Sequence, residues 1–310
     1  MKVLIVCSKN SGKIAPFIVE QVDGLHTCGV TTDYFTIEQK GWRGYLKSRQ
    51  LLIKKIKAFH PDIIHAHYGL SGLLANLQCR VPVITTYHGS DINKPKVFRL
   101  SQLVMRLSAY NLFVSQKNLD KAALKSHFKL LPCGVDLSNF KLLDRTEARR
   151  FLHLDQQVKL VLFAGAFNNE VKNAPLAQAA IQQLSQVQLL EFKGYSRSEV
   201  SYLMQAVDAV VMTSFSEGSP QFIKEAMVCG SPLVSVDVGD VKELITGVSG
   251  CYLAERTAES IAHKLRDALS FGARTQGRER IVALGLENAI VVAQLIEIYK
   301  QVLNIHINSK

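Results

Sequence analysis

The sequence predicts an α/β protein of two doubly wound domains, each built on a parallel sheet with helices on both faces. Short apolar runs alternate along the chain with longer segments that have helical apolar spacing, in the first half and again in the second. The length of 310 residues exceeds what one hydrophobic core usually supports. Two domains of about 150 residues each are therefore expected.

The first half begins with KVLIVCS, a continuous apolar run suited to a parallel strand that is buried on both faces. Helical spacing follows at 15–25 and again at 40–60. Further strands are predicted at 29–35, 62–65, 81–86, 111–115 and 129–131. His65 ends the third strand and His67 follows it, so we interpret both as part of a loop near a cleft. With no third ligand nearby, they form a poor metal site.

The second half repeats the alternation, and the boundary is placed near Cys133. Strands are predicted within 158–167, 189–192, 205–214 and 233–236. The domains are predicted as residues 1–133 and 134–287. The last apolar-periodic segment, from Asn288 to Leu303, is expected to be a helix that crosses back onto the first domain.

Composition fits a globular protein, since 47% of the residues are hydrophobic. No apolar run reaches the ~20 residues that a membrane span requires, and the first residues read as a strand rather than a secretory signal. The 6 cysteines are scattered without metal-type pairing, which predicts reduced thiols in a cytoplasmic protein.

The net charge of +11 lies in the first half. Residues 1–133 hold 19 Lys and Arg against 7 Asp and Glu, whereas residues 134–310 hold 18 against 19. This asymmetry indicates an anionic partner for the first half, which could be a membrane surface, a nucleic acid or a phosphorylated substrate.

The stretch from Ser214 to Asp237 carries the clearest site pattern. Ser219 is a candidate N-cap with Pro220 at the first helical position, and Gly230 marks the end of that helix. Glu217 precedes the helix, and Glu225 lies roughly 9 Å along it at 1.5 Å per residue. An anion such as a diphosphate could sit on the helix N-terminus between the two carboxylates. A solvated loop glutamate and a surface helix glutamate are the alternative interpretation.

The segment EGSPQFIKEAMVCGSPLVSVDVGDVKELI resembles the donor-site signature of glycosyltransferase family 4, in which seven residues separate two glutamates. Weaker similarity extends over nearly the whole chain, which resembles bacterial cell-surface polysaccharide glycosyltransferases. The resemblance implies the GT-B fold, with two Rossmann-like domains facing across a cleft. It also implies a retaining transfer of a sugar from a nucleotide-diphosphate donor to an acceptor hydroxyl.

The resemblance also implies roles for individual residues. Lys172 corresponds to the lysine that the family keeps for the diphosphate, and HGSD at 88–91 corresponds to the segment that brings a histidine near the donor sugar. The catalytic candidates are His88, Lys172 and Glu217. The donor-binding candidates are Gly12, Lys172, Asn173, Lys193, Gly194, Tyr195, Glu217, Gly218, Ser219, Pro220 and Glu225. Ala166 stands where the family often has an arginine, which weakens the phosphate clamp or shifts part of it to Asn169, Asn173 or a helix terminus.

The sequence contains no D-x-D pair that would hold a divalent ion on the donor, so we expect no metal and no other cofactor. Two alternatives stay open. The protein could be a non-catalytic sugar or nucleotide binder on the same fold, or a nucleotide-sugar epimerase, although no acid/base pair for an epimerase is identifiable.

The segment from Lys40 to His60 carries seven Lys or Arg and no acid. Trp42, Tyr45 and Leu46 lie among these basic residues, a combination suited to an anionic bilayer. We therefore predict a cytoplasmic protein that binds peripherally to the membrane, where a lipid-linked saccharide could be its acceptor. A solvated helix face is the alternative, and nucleic acid is not expected because no base-reading module is recognisable.

Overall fold

The computed structural model describes residues 1–9, 12–38 and 41–308, without the side chains of 41–46, 307 and 308. The chain divides into unit 1, residues 1–134 with 288–310, and unit 2, Val135–Glu287. Each unit is built on one parallel sheet with helices around it. The predicted α/β class is thereby confirmed.

Unit 1 contains a six-stranded sheet of order β2-β1-β3-β4-β5-β6. Its strands are β1 (Lys2–Ser8), β2 (Thr31–Ile37), β3 (Ile63–His67), β4 (Val83–Tyr87), β5 (Tyr110–Phe113) and β6 (Phe128–Leu130). Unit 2 contains a five-stranded sheet of order β11-β10-β9-β7-β8. Its strands are β7 (Lys159–Phe163), β8 (Val187–Glu191), β9 (Ala209–Met212), β10 (Leu233–Val236) and β11 (Cys251–Ala254).

Helices connect successive strands, as parallel pairing requires. In unit 1 they are α1 (Pro16–Thr27), α2 (Gly41–Phe59), α3 (Gly69–Asn76), α4 (Ser90–Asn93), α5 (Pro95–Leu107) and α6 (Gln116–Ala122). In unit 2 they are α7 (Arg145–Phe151), α8 (Ala174–Ile181), α9 (Arg197–Ala206), α10 (Gln221–Val228), α11 (Val241–Ile245), α12 (Ala258–Ser270) and α13 (Gly277–Ala283). Helix α14 (Asn288–Asn308) belongs to unit 1.

The cores follow from the apolar runs of the strands. In β1, Val3 and Ile5 pack into one cluster while Leu4 and Val6 pack into another, so both faces of the sheet are buried. Helix α14 joins the first of these clusters through a stripe with helical spacing: Val291, Val292, Leu295, Ile298, Tyr299 and Val302. A separate cluster fills unit 2.

Some predicted boundaries differ from the observed ones. The second strand begins at Thr31 rather than residue 29, and β3 runs to His67, so neither histidine lies in a loop. The apolar spacing of the sequence at 40–60 predicts that Leu51 lies on the buried face of α2, but Leu51 is 44% exposed. Within the described ranges, every helix is too short or too polar to cross a membrane.

Candidate functional site

Three loops at the carboxyl edge of the unit 2 sheet carry the predicted donor residues. Strands β9, β7 and β8 are neighbours in the sheet, and all run parallel, so the loops that follow them emerge at the same edge. Lys172 and Asn173 follow β7; Lys193, Gly194 and Tyr195 follow β8; Glu217, Gly218, Ser219 and Pro220 follow β9. This edge is where open parallel sheets bind ligands.

Lys172 and Glu217 form an ion pair at this edge. Lys172 Nζ donates to Glu217 Oε1 at 2.7 Å, and the two side chains are 23% and 16% exposed. The lysine stem passes over Gly165, where an added Cβ would lie 2.8 Å from Lys172 Cγ. Any side chain at position 165 would therefore displace the lysine. Water still reaches both charged groups, so an incoming ligand can compete for them.

The turn that carries Lys172 is fastened to β9. Glu170–Lys172 is a single 3₁₀ turn in which Asn169 accepts a hydrogen bond from the Val171 N–H. The hydroxyl of Thr213 donates to the carbonyls of Lys172 and Asn173 at 3.0 and 2.9 Å. Asn173 itself has a left-handed backbone, φ 55°, and begins α8. These bonds fix the position of the Lys172 backbone relative to the end of β9.

Ser219 does not cap the helix that carries Glu225. Helix α10 begins at Gln221 with Pro220 as its N-cap residue, and no described side chain caps it. The Ser219 hydroxyl instead donates to the carboxylate of Asp240. Sequence reasoning could not see this acceptor because it lies 21 residues further on. The backbone N–H groups at the positive end of α10 are therefore not capped by the Ser219 hydroxyl.

The loops after β9 and β10 touch through glycines. Gly239 has φ 57°, and an added Cβ there would overlap the carbonyl oxygen of Gly218. Burial is the main cause that raises the pKa of Asp240, while the charge of Lys224 and the Ser219 hydroxyl act in the opposite direction. Lys224 is completely buried. The close contact with Gly239 thus restricts the backbone of Gly218, which links Glu217 to α10.

Glu225 is paired with Arg197, a residue that the sequence did not single out. Arg197 Nη1 donates to Glu225 Oε1 at 2.6 Å, with side-chain exposures of 30% and 8%. The guanidinium also lies 4.9 Å from the ring centroid of Phe140, a cation–π contact. Arg197 is the first residue of α9, after a Ser196–Glu199 capping box. That box is a local signal that could have revealed the helix, but not the partner of its arginine.

The loop after β8 presents an exposed glycine beside a half-buried tyrosine. Gly194 has φ 86°, a backbone that favours glycine, and no heavy atom lies within 4 Å of an added Cβ. Lys193 is exposed. Burial is the largest cause that raises the pKa of Tyr195, so its hydroxyl stays protonated at neutral pH. The ring offers a flat apolar surface at the sheet edge.

Arg256 is a second cation that sequence reasoning missed. It follows β11, and its Nη1 donates to the carbonyls of Thr213 and Ser214 at 3.1 and 2.6 Å. Its guanidinium lies 5.4 Å from the ring centroid of Phe215. An exposed positive charge is thereby attached to the loop that leads to Glu217, in a unit where Ala166 replaces the expected arginine.

In unit 1, His88 follows β4 at the carboxyl edge of the sheet, in a loop organised by Asp91. The Asp91 carboxylate accepts the backbone N–H groups of Gly69, His88 and Gly89 at 3.1, 3.1 and 2.9 Å. Burial nevertheless raises the pKa of Asp91 to about 6, with these hydrogen bonds acting in the opposite direction. The His88 ring packs against Phe17, with centroids 4.9 Å apart.

His67 contacts His88 directly, which corrects the prediction of a loop histidine. His67 Nδ1 and His88 Nε2 lie 3.1 Å apart, and the buried His67 Nε2 has no hydrogen-bond partner among the described residues. His65 lies between the hydroxyls of Tyr299 and Thr86, each at 2.7 Å. Burial lowers the pKa of His67 to about 3 and that of His65 well below its usual value. Both rings are neutral at physiological pH.

Gly12 lies in the loop between β1 and α1, with φ 85° and its N–H donated to the Lys9 carbonyl at 2.9 Å. Of the basic segment, Lys40 lies outside the described residues. The same holds for the side chains of Trp42, Arg43, Tyr45 and Leu46. Within the described part of the chain, no three His, Cys, Asp or Glu side chains are grouped as a metal site would require.

Both units match models of known protein families. Residues 2–139 match "Glycosyltransferase Family 4", and residues 146–270 match "Glycosyl transferases group 1". The chain therefore has a family 4 domain and a group 1 domain of glycosyltransferases. The resemblance inferred from the two-glutamate segment is confirmed, and the family places that segment in its group 1 domain.

Two curated relatives of this chain come from bacteria. It is 25% identical over 251 residues to the putative teichuronic acid biosynthesis glycosyltransferase TuaC of Bacillus subtilis, covering 71% of this chain and 64% of the relative. It is also 25% identical over 269 residues to the D-inositol 3-phosphate glycosyltransferase of Mycobacterium marinum, covering 70% of this chain and 58% of the relative. The chain thus spans less than two thirds of the length of either.

Solved structures show the fold. Sucrose-phosphate synthase from Thermosynechococcus elongatus superposes with a TM-score of 0.82 at 17% identity, covering 98% of this chain and 99% of the other. HepE from Anabaena, in complex with UDP and glucose, superposes with a TM-score of 0.73 at 18% identity, covering 97% and 100%. The predicted GT-B fold is thereby confirmed.

Proposed function

We propose that the protein is a retaining glycosyltransferase that moves a sugar from a nucleotide-diphosphate donor to an acceptor hydroxyl in cell-surface polysaccharide or glycolipid synthesis. The observation that carries the proposal is the pair of glutamates in unit 2, one before α10 and one within it, each of which forms an ion pair with a cation. The name of the TuaC relative and the UDP bound to HepE support the substrate class.

The diphosphate is assigned to Lys172, Asn173 and the N-terminus of α10. A diphosphate oxygen is a stronger partner for an ammonium group than one carboxylate, since it brings more charge and more acceptors. On donor binding, Lys172 turns from Glu217 to the diphosphate. Arg256 and the helix dipole add positive potential at the loop that leads to Glu217, in a unit where Ala166 stands in place of the family's usual arginine.

The nucleoside is assigned to Glu225 and to the loop after β8. Arg197 donates to one oxygen of Glu225 and so orients the carboxylate, which we assign to the ribose hydroxyls. The base lies against Lys193, Gly194 and Tyr195, because Gly194 leaves room and Tyr195 supplies an apolar face.

The sugar is assigned to Glu217, and His88 is retained as a catalytic candidate. Once Lys172 has turned to the diphosphate, the Glu217 carboxylate accepts from a sugar hydroxyl. The backbone of Gly218, Ser219 and Pro220, locked by Asp240, keeps that carboxylate in place. The role of His88 rests on its place in the HGSD segment, after β4 of unit 1.

The reaction we propose is a front-face displacement. The bond from the sugar C1 to the diphosphate oxygen breaks with its electron pair passing to the diphosphate, and Lys172 stabilises the charge that develops there. The acceptor oxygen bonds to C1 on the same face, and its proton passes to the departing diphosphate. Configuration is therefore retained, and catalysis is positional and electrostatic.

No divalent cation is part of this proposal. Donor charge is met by Lys172, by Arg256 and by helix N–H groups. Activity is expected to survive treatment with EDTA; complete loss that Mn²⁺ or Mg²⁺ restores would overturn the metal-independent mechanism.

The acceptor is proposed to be a saccharide, free or lipid-linked. With a lipid-linked acceptor, the enzyme would work in the cytoplasm on an anionic membrane surface that attracts the basic unit 1. Lys47, Arg49, Lys54 and Lys57 of α2 are exposed, whereas Lys55 forms an ion pair with Asp33. The basic face of α2 is therefore reduced by one charge relative to the sequence count.

Two measurements test the function. Thermal shifts with UDP, GDP and ADP identify the base, since a ligand present at 100 times its Kd adds about 2.7 kcal/mol of stability. Product analysis then separates the classes of protein. Free nucleoside diphosphate with an elongated acceptor supports the transferase, a new nucleotide sugar would instead indicate an epimerase, and binding without turnover would indicate a non-catalytic binder. A protein that no nucleotide stabilises would overturn the proposed donor site.

A further inference from the structure

Helices α3 and α5 of unit 1 lie side by side and parallel, in close contact through small residues. An added Cβ on Gly69 would overlap the Ser101 hydroxyl, and one on Gly72 would lie 2.7 Å from Val104 Cγ1. Further along, Asn76 Nδ2 donates to the Ser108 hydroxyl at 3.0 Å. The contact partners rise together along both helices, which fixes the parallel direction and the register.

This register points five exposed leucines in one direction. Successive helical residues turn by about 100°. Leu70 and Leu77 come one residue after contact positions on α3, whereas Leu100 and Leu107 come one residue before contact positions on α5. On two parallel helices that face each other, a step forward from the contact on one helix and a step back from the contact on the other point to the same side. The leucine face consists of Leu70, Leu77, Leu100, Leu103 and Leu107, which are 40–51% exposed.

The surroundings of the leucine face are basic. From residue 63 to residue 119 the chain has a single acid, Asp91, which is 2% exposed and accepts backbone hydrogen bonds. Lys96, Arg99 and Arg106 lie on the exposed side of α5 beside Leu100, Leu103 and Leu107. By the same 100° steps, Lys96 falls among the leucines and the two arginines border them.

We infer that the leucine face of α3 and α5 docks on an anionic lipid surface. Contiguous apolar patches on a soluble domain mark interaction sites, and a helix with leucines on one side and Lys or Arg beside them suits the boundary between headgroups and acyl chains. The absence of exposed acid between residues 63 and 119 favours an anionic occupant. The surface is distinct from the basic segment of α2, and the inference does not rest on the transfer reaction.

Co-sedimentation with vesicles of phosphatidylcholine alone, and of phosphatidylcholine with phosphatidylglycerol, tests the inference at low and high salt. Wild-type protein should bind the anionic vesicles, and salt should weaken the binding because the Debye length falls from about 10 Å at 0.1 M to 3 Å at 1 M. Equal partitioning between the two lipids, or no binding to either, would overturn it.

Two double variants separate the apolar and charged contributions. Each basic residue near an anionic surface strengthens binding about fivefold, so Arg99→Glu/Arg106→Glu should weaken it at least about 25-fold. Leu100→Gln/Leu107→Gln should weaken it about tenfold or more, because the leucines no longer enter the acyl boundary. If only the charge reversal had an effect, the leucines would not be inserted and the inference would fail.

Matched controls exclude general effects of the substitutions. Leu142 and Leu284 are 61% and 39% exposed on unit 2, so Leu142→Gln/Leu284→Gln should bind like wild type. Lys47→Glu/Lys54→Glu changes exposed lysines of α2. If the α2 variant lost binding and the α5 variants kept it, α2 would be the docking element instead.

Folding and self-association are checked on the same samples. Thermal unfolding should give the same Tm for wild type and the α5 variants, since the changed side chains are exposed. Sedimentation velocity without lipid should show a monomer. A dimer that the leucine variant abolishes would assign the leucine face to a second copy of this chain and refute lipid docking.

Discussion

The Lys172→Met variant tests the assignment of the diphosphate most directly. Methionine keeps the unbranched apolar stem that packs over Gly165 and removes only the charge. If Lys172 stabilises the departing diphosphate as an oxyanion donor does, kcat/KM should fall about 100-fold. That loss corresponds to about 2.7 kcal/mol of transition-state stabilisation, at 1.36 kcal/mol per factor of ten.

The same substitution should have a small effect on folding stability. The Lys172–Glu217 pair has a 2.7 Å contact with side chains 23% and 16% exposed, so water screens it in part. Such a pair contributes about 1 kcal/mol or less to the free energy of unfolding. Tm should fall by no more than roughly 2–4 °C, which separates a catalytic loss from an unfolded protein.

The assay is steady-state release of nucleoside diphosphate in the presence of acceptor. Lys300→Met is the matched control, since Lys300 also contacts a glutamate at 2.7 Å but in a pair 60% and 70% exposed on α14. The control should keep wild-type kinetics. Wild-type kcat/KM in Lys172→Met would refute the assignment.

A double variant separates the two roles that Lys172 could have. If the lysine only holds Glu217 in position, Lys172→Met should add nothing in a Glu217→Gln background. If it contacts the diphosphate, turnover should fall further. The double-variant cycle measures this difference as a coupling free energy.

Three further predictions follow from the contacts of Glu225, Asp91 and His67. Glu225→Gln should weaken donor binding by about 1.5–3 kcal/mol in calorimetric titration, the value of hydrogen bonds to a charged group, while Glu297→Gln should leave it unchanged. Because burial raises the pKa of Asp91 to about 6 in the folded state from a usual 3.8, the stabilising contribution of its neutral form should be present below pH 4 and lost as the pH rises to 6. In urea unfolding, the free energy of unfolding of wild type should therefore fall relative to that of Asp91→Asn as the pH rises from 4 to 6, and the difference should level off above that window; a difference that is constant from pH 4 upward would contradict the pKa. His67→Ala should lower kcat more than it changes KM because His88 loses its partner at 3.1 Å, and His67→Asn, with an amide at the Nδ1 position, should restore part of kcat unless the contact is only structural.

The strands and the GT-B fold could be predicted because their signals are local or dense. A parallel strand buried on both faces is a continuous apolar run, as in Val3–Cys7, which is buried throughout. Gly230 ends α10 with φ 67°, a backbone that the glycine at this position already indicated. Such features depend on a few neighbouring residues, so a sequence pattern suffices.

The errors concern residues whose partners are distant in sequence. Ser219 before Pro220 has the pattern of an N-cap, but the helix begins one residue later, with Pro220 at the N-cap position, and the Ser219 hydroxyl donates to Asp240. The sequence predicts a loop for His65 and His67, but both are buried in β3. A buried histidine needs hydrogen-bond partners. His65 finds one in Tyr299, which is 234 residues away on α14. No local pattern contains that information.

The partners of the two glutamates explain what the site must do on donor binding. Lys172 with Glu217, and Arg197 with Glu225, are two balanced charge pairs separated by 45 and 28 residues in sequence. In each pair the positive charge is already matched by a glutamate, and a diphosphate would add further negative charge. Diphosphate binding therefore requires that one of the cations changes partner or that another positive group faces the ligand. Arg197 contacts both the Phe140 ring and the Glu225 carboxylate, so it serves as the fixed partner. Lys172, on a one-turn 3₁₀ segment with a flexible side chain, is the cation able to change partner. In the proposed function, donor binding and the release of Glu217 toward the sugar would therefore be one coupled step, in which Arg256 and the start of α10 supply the remaining positive potential.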